Sequence, residues 1–301
     1  MGSYPPEGPR GVGEPIRWSP DGEILPPNSG TIPPYRVAYE PAAPPPPPPA
    51  RRRRPGWAQA PATYLLVGIN CAVFVAMVAR GVSVGAPTLQ QLMDWGADNA
   101  GAVLLGGQWW RIVTAMFVHV GILHIAMNMW CLWNLSLLAE PLMGSVGVIA
   151  VYILTGAAGN LLSTFESWWR YHDSGVFPVG AGASGAVFGI AGALIVLLKS
   201  KRLPVPLPEL KRLRKSVIYF AALNLVLGLS ISGGNFFLHS GLNIDNMAHL
   251  GGFMCGLLFA APMVPRLGSP RQQFTARLRL AVILVTGLLV LFGFYLVQLP
   301  R

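Results

Sequence analysis

The sequence predicts an all-α membrane protein with seven apolar spans, and three observations carry that expectation. Of its 301 residues, 52% are hydrophobic and only 11% charged, with mean hydropathy +0.49; charge is less than half as frequent as in ordinary globular domains. Mostly apolar stretches of about 17 to 25 residues, the length that crosses a hydrocarbon core, recur after residue 60. Lys and Arg gather in alternate connections between those stretches, the pattern produced when basic residues are retained on the cytoplasmic side.

The chain begins with a segment unlike the rest. Residues 1–56 have no apolar core and many prolines, including the run Pro44 to Pro49, so no signal peptide is evident. Such a segment buries too little surface to fold alone. It is expected to be a disordered cytoplasmic tail, locally extended as polyproline II along the proline run.

The apolar spans follow near Ala62 to Ala79, Val120 to Leu138, Val146 to Thr164, Ala183 to Leu198, Val217 to Ile231, Ile244 to Met263 and Leu280 to Leu296. Residues 57–263 then form a six-helix membrane core, and 264–301 a linker with a seventh helix. Arg51 to Arg54 precede the first span. Lys199, Lys201, Arg202, Lys211, Arg212, Arg214 and Lys215 follow the fourth, and Arg266, Arg271, Arg277 and Arg279 follow the sixth. The outer connections hold only Arg80, Arg111 and Arg170. The N-terminus is therefore expected inside and the C-terminus outside.

Two connections stand out. The first outer one, Arg80 to His119, is too long for a structureless loop and carries Leu89, Leu92, Met93, Trp95, Trp109 and Trp110. It is expected to form short helices at the membrane interface, where Trp is favoured. The connection Ser232 to Asn243 joins Gly233-Gly234 to Phe236-Phe237; it reads either as a hinged flap with an apolar plug or as an ordinary exposed loop.

The excess of 22 Lys and Arg over 12 Asp and Glu would suit a nucleic-acid partner, but the basic residues lie between apolar runs rather than in aromatic-interleaved patches. No nucleic acid is expected. Cys71, Cys131 and Cys255 fall inside apolar runs, where they read as small hydrophobes.

Polar residues inside spans are costly and point to function. The second span opens with His119, His124 and Asn128, the fourth with Ser184 in Gly182-Ala183-Ser184-Gly185, and the sixth with His249. All five fall toward the outer ends of their spans, and a shared polar cavity is the expected consequence. Singly, each has a plainer reading: Ser184 as a packing or capping residue, His249 bonded to a neighbouring carbonyl, His124 and Asn128 as one interhelical polar contact. A zinc site is not expected, because no Asp, Glu or Cys stands beside the histidines in ligand spacing.

Together they suit peptide hydrolysis, which needs a nucleophile, a base and oxyanion donors. Ser184 supplies a hydroxyl at a helix start, where its own N–H has no intrahelical acceptor. His249 can take the proton. His124 and Asn128, four residues apart on one helix face, can donate to the oxyanion. Asp245, one turn before His249, reads as a helix cap rather than a third triad member, and Phe188, four after Ser184, as the residue that packs the imidazole. Gly185, Gly189 and Gly192 with Gly252 and Gly256 form small-residue series that let two helices approach. Glu140, at the inner end of the second span, is expected to accept hydrogen bonds from a loop.

Gly182-Ala183-Ser184-Gly185 with Phe188-Gly189, Trp110-Arg111, His119…His124-x-x-x-Asn128 and Ala248-His249-x-x-Gly252-x-x-x-Gly256 together resemble the rhomboid family of intramembrane proteases, over about residues 60 to 263. The resemblance implies a six-span core, Ser184 and His249 as a catalytic dyad, and His124 and Asn128 as oxyanion donors. It also implies cleavage of single-span membrane proteins in the lipid bilayer, without a cofactor, in a bacterial plasma membrane. The seventh span is an addition to that core. Two other readings compete: a catalytically inactive relative that binds membrane helices, and a transporter, for which an internal repeat would be expected and none is evident.

Overall fold

The computed structural model describes residues 16, 18–24, 60–200, 203, 205–233, 245–266 and 270–299. Two compact units divide at Arg53 and Arg54. In the first, the described residues form one turn closed by a bridge between Trp18 and Ile24. The expectations for the rest of the proline-rich tail, and for the connection beyond Gly233, lie outside the described residues.

The second unit is helical. Its elements are α1 (Pro61–Ala79), α2 (Leu89–Asp94), β1 (Asp98–Asn99), α3 (Ala100–Leu104), α4 (Arg111–Thr114), α5 (Ile122–Ser174), β2 (Val179–Gly180), α6 (Ser184–Leu197), α7 (Leu207–Gly233), α8 (Asn246–Ala260) and α9 (Arg271–Val297). Short 3₁₀ turns occupy Ala115–Phe117 and Ala261–Arg266.

Four helices among the described residues are long and apolar enough to cross a membrane: Pro61–Ala79, Ile122–Tyr171, Asn246–Val264 and Gln272–Val297. The second has 50 residues, which at about 1.5 Å each exceeds twice the thickness of a hydrocarbon core of about 30 Å. Its helix, α5, is two limbs meeting at Gly144, where φ is +74°, a conformation that glycine adopts without strain. Pro141 lies just before the break and offers no N–H to the preceding turn. The second and third apolar stretches thus fall on the two limbs of α5, with the break at Gly144 between them. Ser184–Leu197 is apolar but shorter. The final helix starts at Arg271, well before the apolar stretch at Leu280, because the basic turn that opens it is a good helix former even though hydropathy does not mark it.

The long connection Arg80 to His119 folds into short helices, as its composition suggests. Arg111 is its organiser: Nη1 donates to the carbonyls of Met93 at 2.7 Å and Ala97 at 2.9 Å, Nε donates to Gln108 at 2.6 Å, and the guanidinium lies over the Trp110 ring. Thr88 and Gln91 form a capping box at the start of α2.

α6 is the centre of the bundle. Every residue from Gly185 to Leu194 is buried, as required of a helix that is apolar all round. It lies against the second limb of α5 and against α8. A methyl added at Gly252 would meet the Gly185 carbonyl oxygen, and one at Gly256 the Gly189 carbonyl oxygen, so backbone touches backbone along the seam. Gly252→Ala is expected to cost about 2 kcal/mol or more through overpacking. Gly287→Ala on α9, where an added methyl meets nothing within 4 Å, should be neutral or slightly stabilising. Thermal unfolding of the two purified variants in detergent checks the contrast.

Glu140 accepts hydrogen bonds, but from a helix end rather than a loop. The backbone N–H groups of Ala62 and Thr63 donate to it at 2.8 and 2.9 Å, the Thr63 hydroxyl at 2.7 Å, and Ser145 beside the kink at 2.6 Å. The reason is that α1 begins at Ala60, which has no capping side chain, so the carboxylate of another helix serves the orphan donors. Glu140→Ala should lower stability by about 3 kcal/mol by stranding buried donors, again read as a fall in the unfolding midpoint.

Candidate active site

The first residue of α6 is Ser184, half-buried, with its N–H outside the intrahelical ladder. One turn on, Phe188 stacks on the imidazole of His249 from α8, ring centroids 4.4 Å apart and planes 14° from parallel. Both rings are buried. The close seam sets this pairing: a methyl at Gly185 would stand 3.2 Å from the carbonyl oxygen of Ala248, so the residue after the serine touches the residue before the histidine.

Asp245 is the N-cap of α8. Its carboxylate accepts from the Ala248 N–H at 2.8 Å and from the Ser163 hydroxyl. Nδ1 of His249 is buried and meets no hydrogen-bond partner among the described residues. The imidazole is therefore oriented by ring packing, while the nearby carboxylate is committed to a helix end.

Further groups lie against the loop that leads into Ser184. The Gly182 N–H donates to the Ala115 carbonyl at 2.9 Å, which ties the loop before Ser184 to the 3₁₀ turn at Ala115–Phe117. His124 accepts from the Val120 N–H through Nδ1 at 3.3 Å, so hydrogen bonding assigns the ring proton to Nε2. That nitrogen faces the loop: a Cβ on Gly182 would come within 3.0 Å of it. Gly182 has φ +127°, so a side chain there would suffer both backbone strain and collision.

Asn128 is buried and one of its amide hydrogens goes to the His124 carbonyl at 3.0 Å; the second amide hydrogen remains to donate. His119 is fully buried, with Nδ1 3.2 Å from the Phe117 carbonyl and its ring 5.4 Å from that of His124. It packs against the His124 imidazole. His124 thus lies against Gly182, just before α6, and His249 against Phe188 on its first turn, while Asn128 and His119 contact His124. A cavity of about 450 Å³ elsewhere, between Trp109, Leu161 and Gly293, is lined by none of them.

Other supports escape a reading based on polar residues near span ends. Tyr152 is fully buried on the second limb of α5; its hydroxyl donates to the Met116 carbonyl at 3.2 Å and accepts from Asn70 at 3.0 Å. Asn160 donates to the Ile112 carbonyl at 2.8 Å. Thr164 donates to Asp98 at 3.1 Å. Polar residues within apolar stretches, Asn70 and Asn160 inside them and Ser163 and Thr164 at the end of the third, are the signal that marks these contacts. Cys71, Cys131 and Cys255 are free thiols.

A family model described as Rhomboid domain matches residues 106–266, more than half of the chain. The chain is 30% identical over 249 residues to Rhomboid protease AarA of Providencia stuartii, covering 77% of this chain and 83% of that protein. It is 29% identical over 238 residues to Rhomboid protease GluP of Bacillus subtilis (strain 168), covering 79% of this chain and 41% of that one. It is 28% identical over 206 residues to RHOMBOID-like protein 6, mitochondrial, of Arabidopsis thaliana, covering 64% of this chain and 58% of that one. The chain thus spans less than two thirds of the Bacillus and Arabidopsis relatives. Its long apolar helices and these matches make it an integral membrane protein. On the family model and the Providencia relative, the chain belongs to the rhomboid family.

Proposed function

We propose that this protein is an intramembrane serine endopeptidase that cuts single-span membrane proteins near the outer boundary of the membrane. The stacking of His249 on Phe188, one turn from Ser184, carries the reading. It fixes an imidazole beside the only hydroxyl at the start of α6.

The chemistry follows. The Ser184 Oγ attacks the scissile carbonyl carbon as its proton passes to His249. The carbonyl oxygen becomes an oxyanion that receives hydrogen bonds from the Ser184 N–H, His124 Nε2 and Asn128. His249 then gives the proton to the leaving amine as the C–N bond breaks, and water hydrolyses the acyl-enzyme with the same histidine as base. Asp245 is not part of the relay, which makes the pair a dyad.

Seven crossings, with the N-terminus inside and the C-terminus outside, remain the reading that the loop charges favour. On that topology the dyad lies in the outer half of the bilayer, α9 is an extra helix beside a six-span core, and the N-terminal tail is cytoplasmic. To test the function, the purified protein is incubated with single-span membrane proteins, and product termini are mapped by mass spectrometry. New termini clustered at the outer end of the substrate span are expected, absent with Ser184→Ala. Termini in the cytoplasmic half would refute the topology and the mechanism together.

A further inference from the structure

Asp98 is an acid that the proposed chemistry does not use. It is 4% exposed, and one carboxyl oxygen, Oδ1, has no hydrogen-bond partner among the described residues. The other accepts the Thr164 hydroxyl at 3.1 Å. An ionised carboxylate with a bare oxygen in such a place is costly, and the group avoids the cost by keeping its proton.

Its surroundings link three pieces of the site. Asp98 pairs with Gly180 in the short antiparallel ladder of β1 and β2, four residues before Ser184. A methyl at Gly180 would lie 3.8 Å from the Asp98 Cβ and 3.4 Å from Oδ2 of Asp245. Two carboxyl groups therefore flank one glycine. Consecutive residues of α5 serve them: Ser163 donates to Asp245 and Thr164 to Asp98.

We propose that Asp98 is a positioning residue whose neutral form locks the first outer connection and β2 against the amino-terminal turn of α8. Its ionisation beside the Asp245 carboxylate loosens that lock and with it the placement of His249. The loop before Ser184 and the helix that carries the base are then held in register by one proton.

The groups around Asp98 pull in both directions, and burial is the largest influence. Burial pushes its carboxyl up to about 7, the Thr164 hydroxyl opposes this, the neighbouring Asp245 adds to it, and Arg111 opposes it weakly. The Arg111 guanidinium is occupied by the carbonyls of Met93 and Ala97 and by Gln108. Glu166 on α5 acts on Asp245 and pairs with Arg170. The ladder strand β2 and the helix α3 bring no charge.

The sign follows from linkage. A carboxyl whose pKa is higher in the fold binds a proton that the unfolded chain has lost. The fold therefore loses stability as pH rises from the ordinary carboxyl range through about 7, and levels off above it.

The test is thermal unfolding of the full-length protein in detergent from about pH 5 to about pH 9, for wild type, Asp98→Asn, Asp245→Asn and Thr164→Val. Relative to Asp98→Asn, the wild-type midpoint should fall by roughly 5 °C between about pH 5 and about pH 7 and run parallel to it above. Asp98→Asn, which mimics the neutral acid, should lack the Asp98 part of the pH dependence, while Asp245, whose carboxyl burial also raises, keeps its own. Asp245→Asn should move the fall to lower pH, and Thr164→Val to higher pH. Only the consequence for turnover rests on the proposed protease reading: kcat of the wild type should fall as pH rises through about 7, where Asp98 ionises in the fold, and that of Asp98→Asn should not. An unchanged slope in Asp98→Asn overturns the proposal. If that variant does not fold, a fall that stays put in both Asp245→Asn and Thr164→Val overturns it equally. These outcomes are read from unfolding, so they stand apart from any failure to find proteolysis.

Discussion

Ser184→Ala or His249→Ala should each lower kcat by at least about 10⁴-fold, and the double variant should be no worse than either alone. The reason is that nucleophile and base act as one unit. Without the imidazole the hydroxyl keeps its proton, and without the hydroxyl the imidazole has nothing to activate. Ser184 is half-buried at a helix start, so its loss removes little packing. His249 is buried and stacked on Phe188, so His249→Ala leaves a gap and its unfolding midpoint must be followed alongside turnover. The measurement is cleavage of a purified membrane substrate with labelling by a serine-directed reagent. His249→Ala should abolish labelling although the serine is present. Appreciable turnover by purified Ser184→Ala would overturn the assignment, and additive losses in the double variant would mean that the two residues act separately.

Much of this site was legible because polar residues in apolar spans are few. Ser184, His249, His124 and Asn128 stand out against their surroundings, and glycine spacing in α6 and α8 shows which helices can approach. Phe188 and Asp245 could be assigned by counting helical turns. Depth and face follow from such counting, but contacts between spans do not. Glu140 illustrates the difference: its place at an inner span end was readable, while its partner, the uncapped start of α1 78 residues earlier, was not. Asp98 was missed because it sits outside every apolar stretch, where an acid is ordinary. Only the fold buries it against Gly180 and Thr164. Span ends were the weakest part of the reading. The gap left between the second and third spans does contain Gly144, where α5 is divided, but hydropathy does not see the basic turn with which α9 begins, because that turn is helical without being apolar.

Asn128→Ala is expected to lower kcat by about a hundredfold to a thousandfold with KM nearly unchanged, the cost of one lost oxyanion donor. The geometry motivates the role. Asn128 is buried on the first limb of α5, one amide hydrogen is held by the His124 carbonyl, and the other is left to donate. His124 offers Nε2–H toward Gly182, beside the nucleophile. Both donors are fixed before substrate arrives, His124 by the Val120 N–H and Asn128 by its own helix, so little reorganisation is needed as charge develops. A donor that matters only for the oxyanion leaves ground-state affinity untouched, so kcat and kcat/KM should fall together. His124→Ala should behave similarly but with some loss of stability, because His119 packs against its ring. The two variants combined should cost less than the sum of their separate losses in activation free energy, since the Ser184 N–H remains as a third donor. Ser184 in Asn128→Ala should still react slowly with a serine-directed reagent, because the dyad is intact. A raised KM at constant kcat would instead make Asn128 a substrate contact.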